Sequence, residues 1–206
     1  MDDLQKYFYI NIREYLEQEG SNEIGEADLL EAISDFTCPR NPDVERFLKN
    51  SAIEFTKKNQ SVTYLVLSNE ENTELLGYFT IAIKPLTING DAVSNTVKRK
   101  LQRVSKLDEA TGTYTSAAFL IAQLGKNYTD GANERISGDH LLELALSVVE
   151  RLQYAAGGMV TFLEAEDKEK LLTFYQKNNF QKFSTRKTDD ASEDSHELIQ
   201  LFRLLK

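Results

Sequence analysis

The chain has one cysteine, two histidines and no tryptophan among 206 residues. A lone Cys38 permits no intrachain disulfide and excludes a Cys-rich zinc site. With only His140 and His196, a multi-histidine metal centre is also not expected, and no metal is assigned. Long apolar runs are missing as well. Stretches such as Ala117–Ala122 fall far short of the roughly 20 residues that a membrane span needs. The start, Met1-Asp2-Asp3-Leu4-Gln5-Lys6, has neither the basic region nor the apolar run of a secretory signal. A cytoplasmic protein without membrane attachment is therefore expected. Positive charge is in deficit too: 24 Lys+Arg stand against 33 Asp+Glu, a formal net charge of −9. That balance argues against broad binding to nucleic acid, because phosphate binding needs clustered cations. A local basic patch stays compatible with it.

What is present suffices for a core. Apolar residues make up 41% of the chain and charged residues 28%, which separates it from disordered sequences. The length fits one domain over 1–206. The first sixty residues read as helical. Leu4, Phe8, Ile12, Tyr15 and Leu16 recur at helical spacing, and Asp28–Ile33 reads as a second short helix. Asn41-Pro42 supplies a cap and a first-turn proline for a third. The period then changes. Val62–Ser68 and Leu75–Ile83 read as a hairpin, with Pro85 ending its second strand. Residues 86–115 read as an inserted polar segment with one helix near Val93–Val104. Its Lys98, Arg99, Lys100 and Arg103, with Lys106 beyond, form either a solvated face or a patch for an acidic partner.

Ser116–Leu124 is an apolar strand, and a polar, glycine-containing loop follows from Gly125 to Gly138. The clearest helix carries Leu141, Leu144, Ala145, Val148, Val149 and Leu152 on one stripe and stops at Gly157-Gly158. Met159–Leu163 reads as a strand, Asp167–Lys177 as a helix, and Phe180–Phe183 and Glu197–Leu205 as two last strands around a polar loop, Ser184–Ser195. Strand–helix–strand implies a parallel pair, whereas the hairpins imply antiparallel ones. The expected fold class is α/β (α+β): a mixed, mostly antiparallel sheet with helices on both faces.

Two segments can carry chemistry. Arg135-Ile136-Ser137-Gly138-Asp139-His140 leads into the long helix. Free amides and the helix dipole there favour phosphate, and Arg135 can add a charge-assisted contact. By itself this pattern occurs in many proteins that bind nothing. The second segment, Leu171-Leu172-Thr173-Phe174-Tyr175-Gln176-Lys177-Asn178-Asn179-Phe180, closes the next helix. In order and spacing the two resemble the GNAT (Gcn5-related N-acetyltransferase) family. Its cofactor motif is Gln or Arg, two residues, Gly, one residue, Gly or Ala. Arg135 and Gly138 match, while His140 stands where a small residue is usual. Tyr175 matches the tyrosine of the family's Phe-Tyr-x-x-x-x-Phe signature, with Asn179 in place of a glycine. Asparagine tolerates left-handed angles well, so that exchange is mild. The segments Phe36–Leu48, Val62–Val66 and Leu76–Phe79 resemble the opening of a toxin-like GNAT subgroup, some members of which acetylate aminoacyl-tRNA.

The resemblance implies six or seven strands, splayed between two central parallel ones, here Ser116–Lys126 and Met159–Leu163. It implies transfer of acetyl from acetyl-CoA to a primary amine. Backbone groups of Leu124, Gly125 and Lys126 would pair with the pantetheine arm, and the Arg135–His140 backbone would hold the pyrophosphate. The reaction needs a neutral amine, although a lysine-like amine has a pKa of about 10.4, and it needs a donor for a leaving thiolate of pKa about 8.5. Tyr175 is the expected general acid, or else a core aromatic. For the base, Glu164 is a weaker candidate, or a water chain could serve. The acceptor would be a small-molecule, peptide or protein amine, with tRNA disfavoured by the net charge. A catalytically silent CoA-binding module is the competing class, because His140 could crowd the pyrophosphate. A homodimer stays open.

Overall fold

The computed structural model describes residues 6–16, 25–71, 73–187 and 197–206. Along the chain run β1 (Tyr7–Asn11), α1 (Ile12–Leu16), α2 (Glu26–Ser34), α3 (Pro42–Asn50), α4 (Ala52–Lys57), β2 (Val62–Ser68), β3 (Leu75–Asn89) and α5 (Asn95–Leu101). There follow β4 (Leu107–Asp108), β5 (Thr113–Lys126), α6 (Ala132–Arg135), α7 (Gly138–Ala156), β6 (Val160–Glu166), α8 (Glu169–Lys177), β7 (Gln181–Lys187) and β8 (Glu197–Leu204). Among the described residues the sheet has eight strands in the order β1-β2-β3-β5-β6-β8-β7, with β4 paired to β5. β5 and β6 pair parallel, and that pairing covers only Phe119 and Leu120 opposite Thr161 and Phe162. The β1–β2, β2–β3, β4–β5, β6–β8 and β7–β8 pairs are antiparallel. The mixed, mostly antiparallel α/β class is thus present, with one strand more than the expected range.

The chain forms two compact units, one of Met1–Ala82 with Ile121–Val148, the other of Ile83–Leu120 with Val149–Lys206. In the first unit, the N-terminal helix expected from the Phe8/Ile12 spacing is instead β1 up to Asn11. The reason is tertiary. Tyr7-Phe8-Tyr9-Ile10 is aromatic and β-branched, and its backbone pairs with β2 from Tyr7↔Ser68 to Asn11↔Tyr64. Leu4 lies outside the described residues. α3 begins as its sequence indicates: the Asn41 side chain accepts from the amides of Asp43 and Val44, with Pro42 in the first turn. Its buried Val44 and Leu48 join Phe36, Ile33, Leu65 and Tyr78 in the core of this unit. The Tyr78 hydroxyl donates to the Val44 carbonyl at 2.5 Å, so this buried phenol is satisfied.

In the second unit, β3 continues past Pro85 to Asn89. The β2–β3 ladder ends at Ile81, so Pro85 stands where no β2 partner remains, and a missing N–H is tolerated on such an edge. The 86–115 segment contributes packing of its own. Leu86, Ile88, Val97, Leu101 and Tyr114 are buried with Val160, Phe162, Phe183 and Phe202. Its helix α5 is shorter than expected and is capped by the Ser94 side chain at the Val97 amide. Of the polar loop expected at Ser184–Ser195, β7 takes the part up to Lys187, and residues 188–195 lie outside the described residues. In α7 Leu142 and Leu146 are buried beside the expected stripe, of which Leu152 is only half-buried.

Candidate active site

In the first unit the loop into α7 is built by three tethers. Lys126, the last residue of β5, donates from Nζ to the carbonyls of Asn133 (2.6 Å) and Ile136 (3.1 Å). Tyr7 of β1 donates from its hydroxyl to the Arg135 carbonyl at 2.9 Å. The Ser137 hydroxyl caps α7 by accepting from the His140 amide at 3.0 Å. Ile136, 1% exposed, anchors the loop in the core. Burial lowers the Lys126 ammonium below its ordinary value, and the nearby Arg40 guanidinium acts in the same direction. Its two carbonyl contacts supply the acceptors that a half-buried ammonium needs.

The Arg135 side chain, one-third exposed, is not free. Nη2 bonds Glu70 at 2.6 Å, and Nη1 bonds Glu74. The guanidinium therefore ties the loop to the β2–β3 connection, and an arriving phosphate would compete with two carboxylates for it. The His140 ring packs against Tyr7, with centroids 5.6 Å apart and planes tilted by 45°. Its Nδ1 is buried and has no hydrogen-bond partner among the described residues.

β5 reaches Lys126 through Gly125, where the backbone comes closer to its neighbours than any side chain would allow. A Cβ on Gly125 would stand 2.3 Å from Val44 Cγ1, and one on Gly77 of β3 would stand 2.6 Å from the Gly125 carbonyl oxygen. The two glycines thus let β3 and β5 approach each other at the segment expected to meet the cofactor.

In the second unit Tyr175 sits in the last turn of α8 and is 7% exposed. Phe174 and Phe180 meet its ring edge-on at 5.0 and 5.8 Å. The helix end that holds it is a Schellman turn. Phe180 N–H donates to the Tyr175 carbonyl, Asn179 N–H donates to Gln176, and Asn179 adopts φ 65°. The asparagine thus takes the left-handed conformation that a glycine would otherwise supply. Burial pushes the Tyr175 phenol up to about 12.

Glu164 of β6 is occupied. Arg186 bonds it through two nitrogens, at 2.9 and 2.8 Å, and Gln200 donates to it at 2.8 Å. This bidentate pair links β6, β7 and β8, and it leaves little lone-pair capacity for taking a proton from an amine. Among the described residues no cluster of His, Cys, Asp and Glu could hold a metal ion. No helix among them is long and apolar enough to cross a membrane.

No protein-family model and no curated relative matches the chain by sequence. Solved structures do match by shape. A tyrosine-to-phenylalanine variant of KacT superposes with a TM-score of 0.64 at 19% identity, over 97% of this chain and 95% of that one. AtaT complexed with acetyl-methionyl-tRNAfMet gives 0.61 at 16% identity, over 94% and 93%. AtaTR bound with acetyl-CoA gives 0.55 at 17%, over 97% and 94%. The chain has the GNAT fold. Several parts of the candidate site had no readable signal. Tyr7 lies 128 residues from Arg135, and Glu70 and Glu74 sit in what read as a plain polar turn. Gly77, inside an apolar strand, did carry one, because glycine in a strand interior often marks a close backbone approach.

Proposed function

We propose that the chain is an acetyl-CoA-dependent N-acetyltransferase acting as one domain over 1–206, with a primary amine as acceptor. The observation that carries this reading is the match over 97% of the chain to AtaTR bound with acetyl-CoA. The residues present fit such a co-substrate. The amides from Ile136 to Gly138, at the N-terminus of the 19-residue α7, suit a diphosphate, and the end of β5 from Leu124 to Lys126 offers backbone groups to the pantetheine arm. Bound acetyl-CoA supplies a thioester, whose C–S bond breaks as the amine nitrogen takes the acetyl group. Tyr175 holds its proton at Oη and donates a hydrogen bond where the leaving thiolate develops. Complete transfer from a phenol near 12 to a thiolate of pKa about 8.5 is uphill, so stabilisation by donation is its main contribution. The amine proton leaves to water, because Glu164 is engaged by Arg186 and Gln200.

A second reading is acetylation of aminoacyl-tRNA. It is favoured by the likeness to AtaT in complex with acetyl-methionyl-tRNAfMet and by the exposed Arg99 and Arg103 around α5, which have no ion-pair partner among the described residues. Calorimetric titration with acetyl-CoA, followed by CoA release across an amine panel that includes charged tRNA, tests both readings. Micromolar binding with release on one acceptor class is expected. Absence of binding at millimolar acetyl-CoA would sink the enzyme reading, and binding without release on any acceptor would leave a silent CoA-binding module.

A further inference from the structure

Away from the candidate active site, the end of α4 folds back on itself before β2 begins. The amides of Gln60 and Ser61 donate to the Phe55 carbonyl at 2.9 and 3.4 Å, and Asn59, at φ 57°, makes the reversal. Ser61 is thereby set beside Thr56. α1 lies against the same turn, where Arg13 Nη2 approaches the Thr56 carbonyl at 3.5 Å. Thr56 and Ser61 are 2% and 7% exposed. The Thr56 hydroxyl, the Ser61 hydroxyl and Arg13 Nε are all buried, and none has a hydrogen-bond partner among the described residues. Buried polar groups are almost always bonded in folded proteins, so three orphaned ones around a single turn of chain mark a place that a ligand completes.

The chemistry of the three groups selects the ligand. Arg13 Nε–H can only donate, and each hydroxyl can turn its hydrogen toward an acceptor. The Thr56 carbonyl beside them already takes the Asn59 amide at 3.1 Å. The guanidinium has no ion pair among the described residues. Carboxylates of the neighbouring helices are engaged by lysines of α4 and its cap, Glu54 by Lys58 at 2.5 Å and Glu26 by Lys57. A water must place its own two hydrogens on acceptors, whereas an anion takes all three donors and brings the missing charge. We propose that Arg13, Thr56 and Ser61 form a site for a small inorganic anion of chloride size, held by Nε–H and the two hydroxyls. The site is independent of the acetyltransferase reading. Its anion ties α1 to the end of α4 and the start of β2, so occupancy reads out as stability.

The test titrates the full chain with chloride against gluconate at constant ionic strength, gluconate being too bulky for a buried site. Arginine side-chain and backbone ¹⁵N–¹H resonances are followed at each ratio. Chloride is expected to shift Arg13 Nε–Hε and the Ser61 amide along one saturating curve, while the exposed Arg46, paired with Asp43, moves without saturating. The urea midpoint should rise with the same dissociation constant, and bromide should replace chloride in both readouts. Ser61→Ala should weaken chloride binding roughly three- to tenfold, the worth of one hydrogen bond. Arg13→Met, which keeps an unbranched stem without donor or charge, should abolish the chloride dependence of the midpoint. A response at Arg13 that is absent, or that follows Arg46 without saturating, would overturn the proposal. So would a chloride-dependent midpoint preserved in Arg13→Met, or a long-lived water seen beside Ser61 and Thr56 at saturating chloride. If Arg13→Met does not fold, the resonances of the unsubstituted protein and of Ser61→Ala decide.

Discussion

Tyr175 combines a buried ring with a phenol pushed to about 12, and the two have separable consequences. As proton-holding donor it should matter to turnover more than to cofactor affinity. Tyr175→Phe is expected to lower kcat by roughly 10² or more while leaving the dissociation constant of acetyl-CoA within about twofold. Single-turnover kinetics with calorimetry measures both, and an unchanged rate would refute the role. Folding raises this pKa above its ordinary 10.0. The stabilisation that goes with the neutral phenol is therefore whole below pH 10 and is lost as pH rises through about 12. Thermal unfolding followed across that window should show a falling midpoint, and less of a fall in Tyr175→Phe. Tyr78, whose phenol burial also raises, adds its own share in both proteins. Tyr175 could be read from the sequence because its signature spacing is local. The occupation of Glu164 could not, since Arg186 and Gln200 reach it from 22 and 36 residues away.

At the scale of elements, two contacts set the geometry of the candidate site. The end of α8 depends on Asn179 at φ 65°, where a β-branched residue is strained. Asn179→Val should cost about 1–2 kcal/mol by chemical denaturation, and Asn179→Gly should be nearly neutral. β5 depends on Gly125, because an added methyl would lie 2.3 Å from Val44 Cγ1. Gly125→Ala should destabilise by roughly 1–3 kcal/mol through overpacking, read as a lower denaturant midpoint at constant slope. Helices with local start and stop signals, such as α3 with Asn41-Pro42 and α7 with its closing glycines, stood out in the sequence. β1 did not. Its Phe8 and Ile12 fit a helical period, and only the ladder to β2 decided for a strand. Pro85 was misleading for the related reason that its cost depends on whether a partner strand is still alongside.

For the whole molecule, the net charge of −9 and the cations around α5 pull toward different acceptors. If the acceptor is an RNA, Arg99→Glu with Arg103→Glu should lower kcat/KM at least tenfold at low salt, and the loss should shrink as salt rises. If it is a small amine, the same pair should leave kcat/KM within about twofold, since both arginines are exposed and unpaired among the described residues. Steady-state rates at two ionic strengths distinguish the cases. The sequence by itself determined the class of sheet, the long α7 with its loop and the Tyr175 signature, because hydrophobic period, caps and motif spacing are written within a few residues of each other. Only the tertiary structure decided that Tyr7 and Lys126 hold the loop's carbonyls, that Arg135 is taken by Glu70 and Glu74, and that Glu164 is filled by Arg186 and Gln200. Those pairings join distant segments through hydrogen bonds of a few ångströms, and no local pattern encodes which segments the sheet brings into reach.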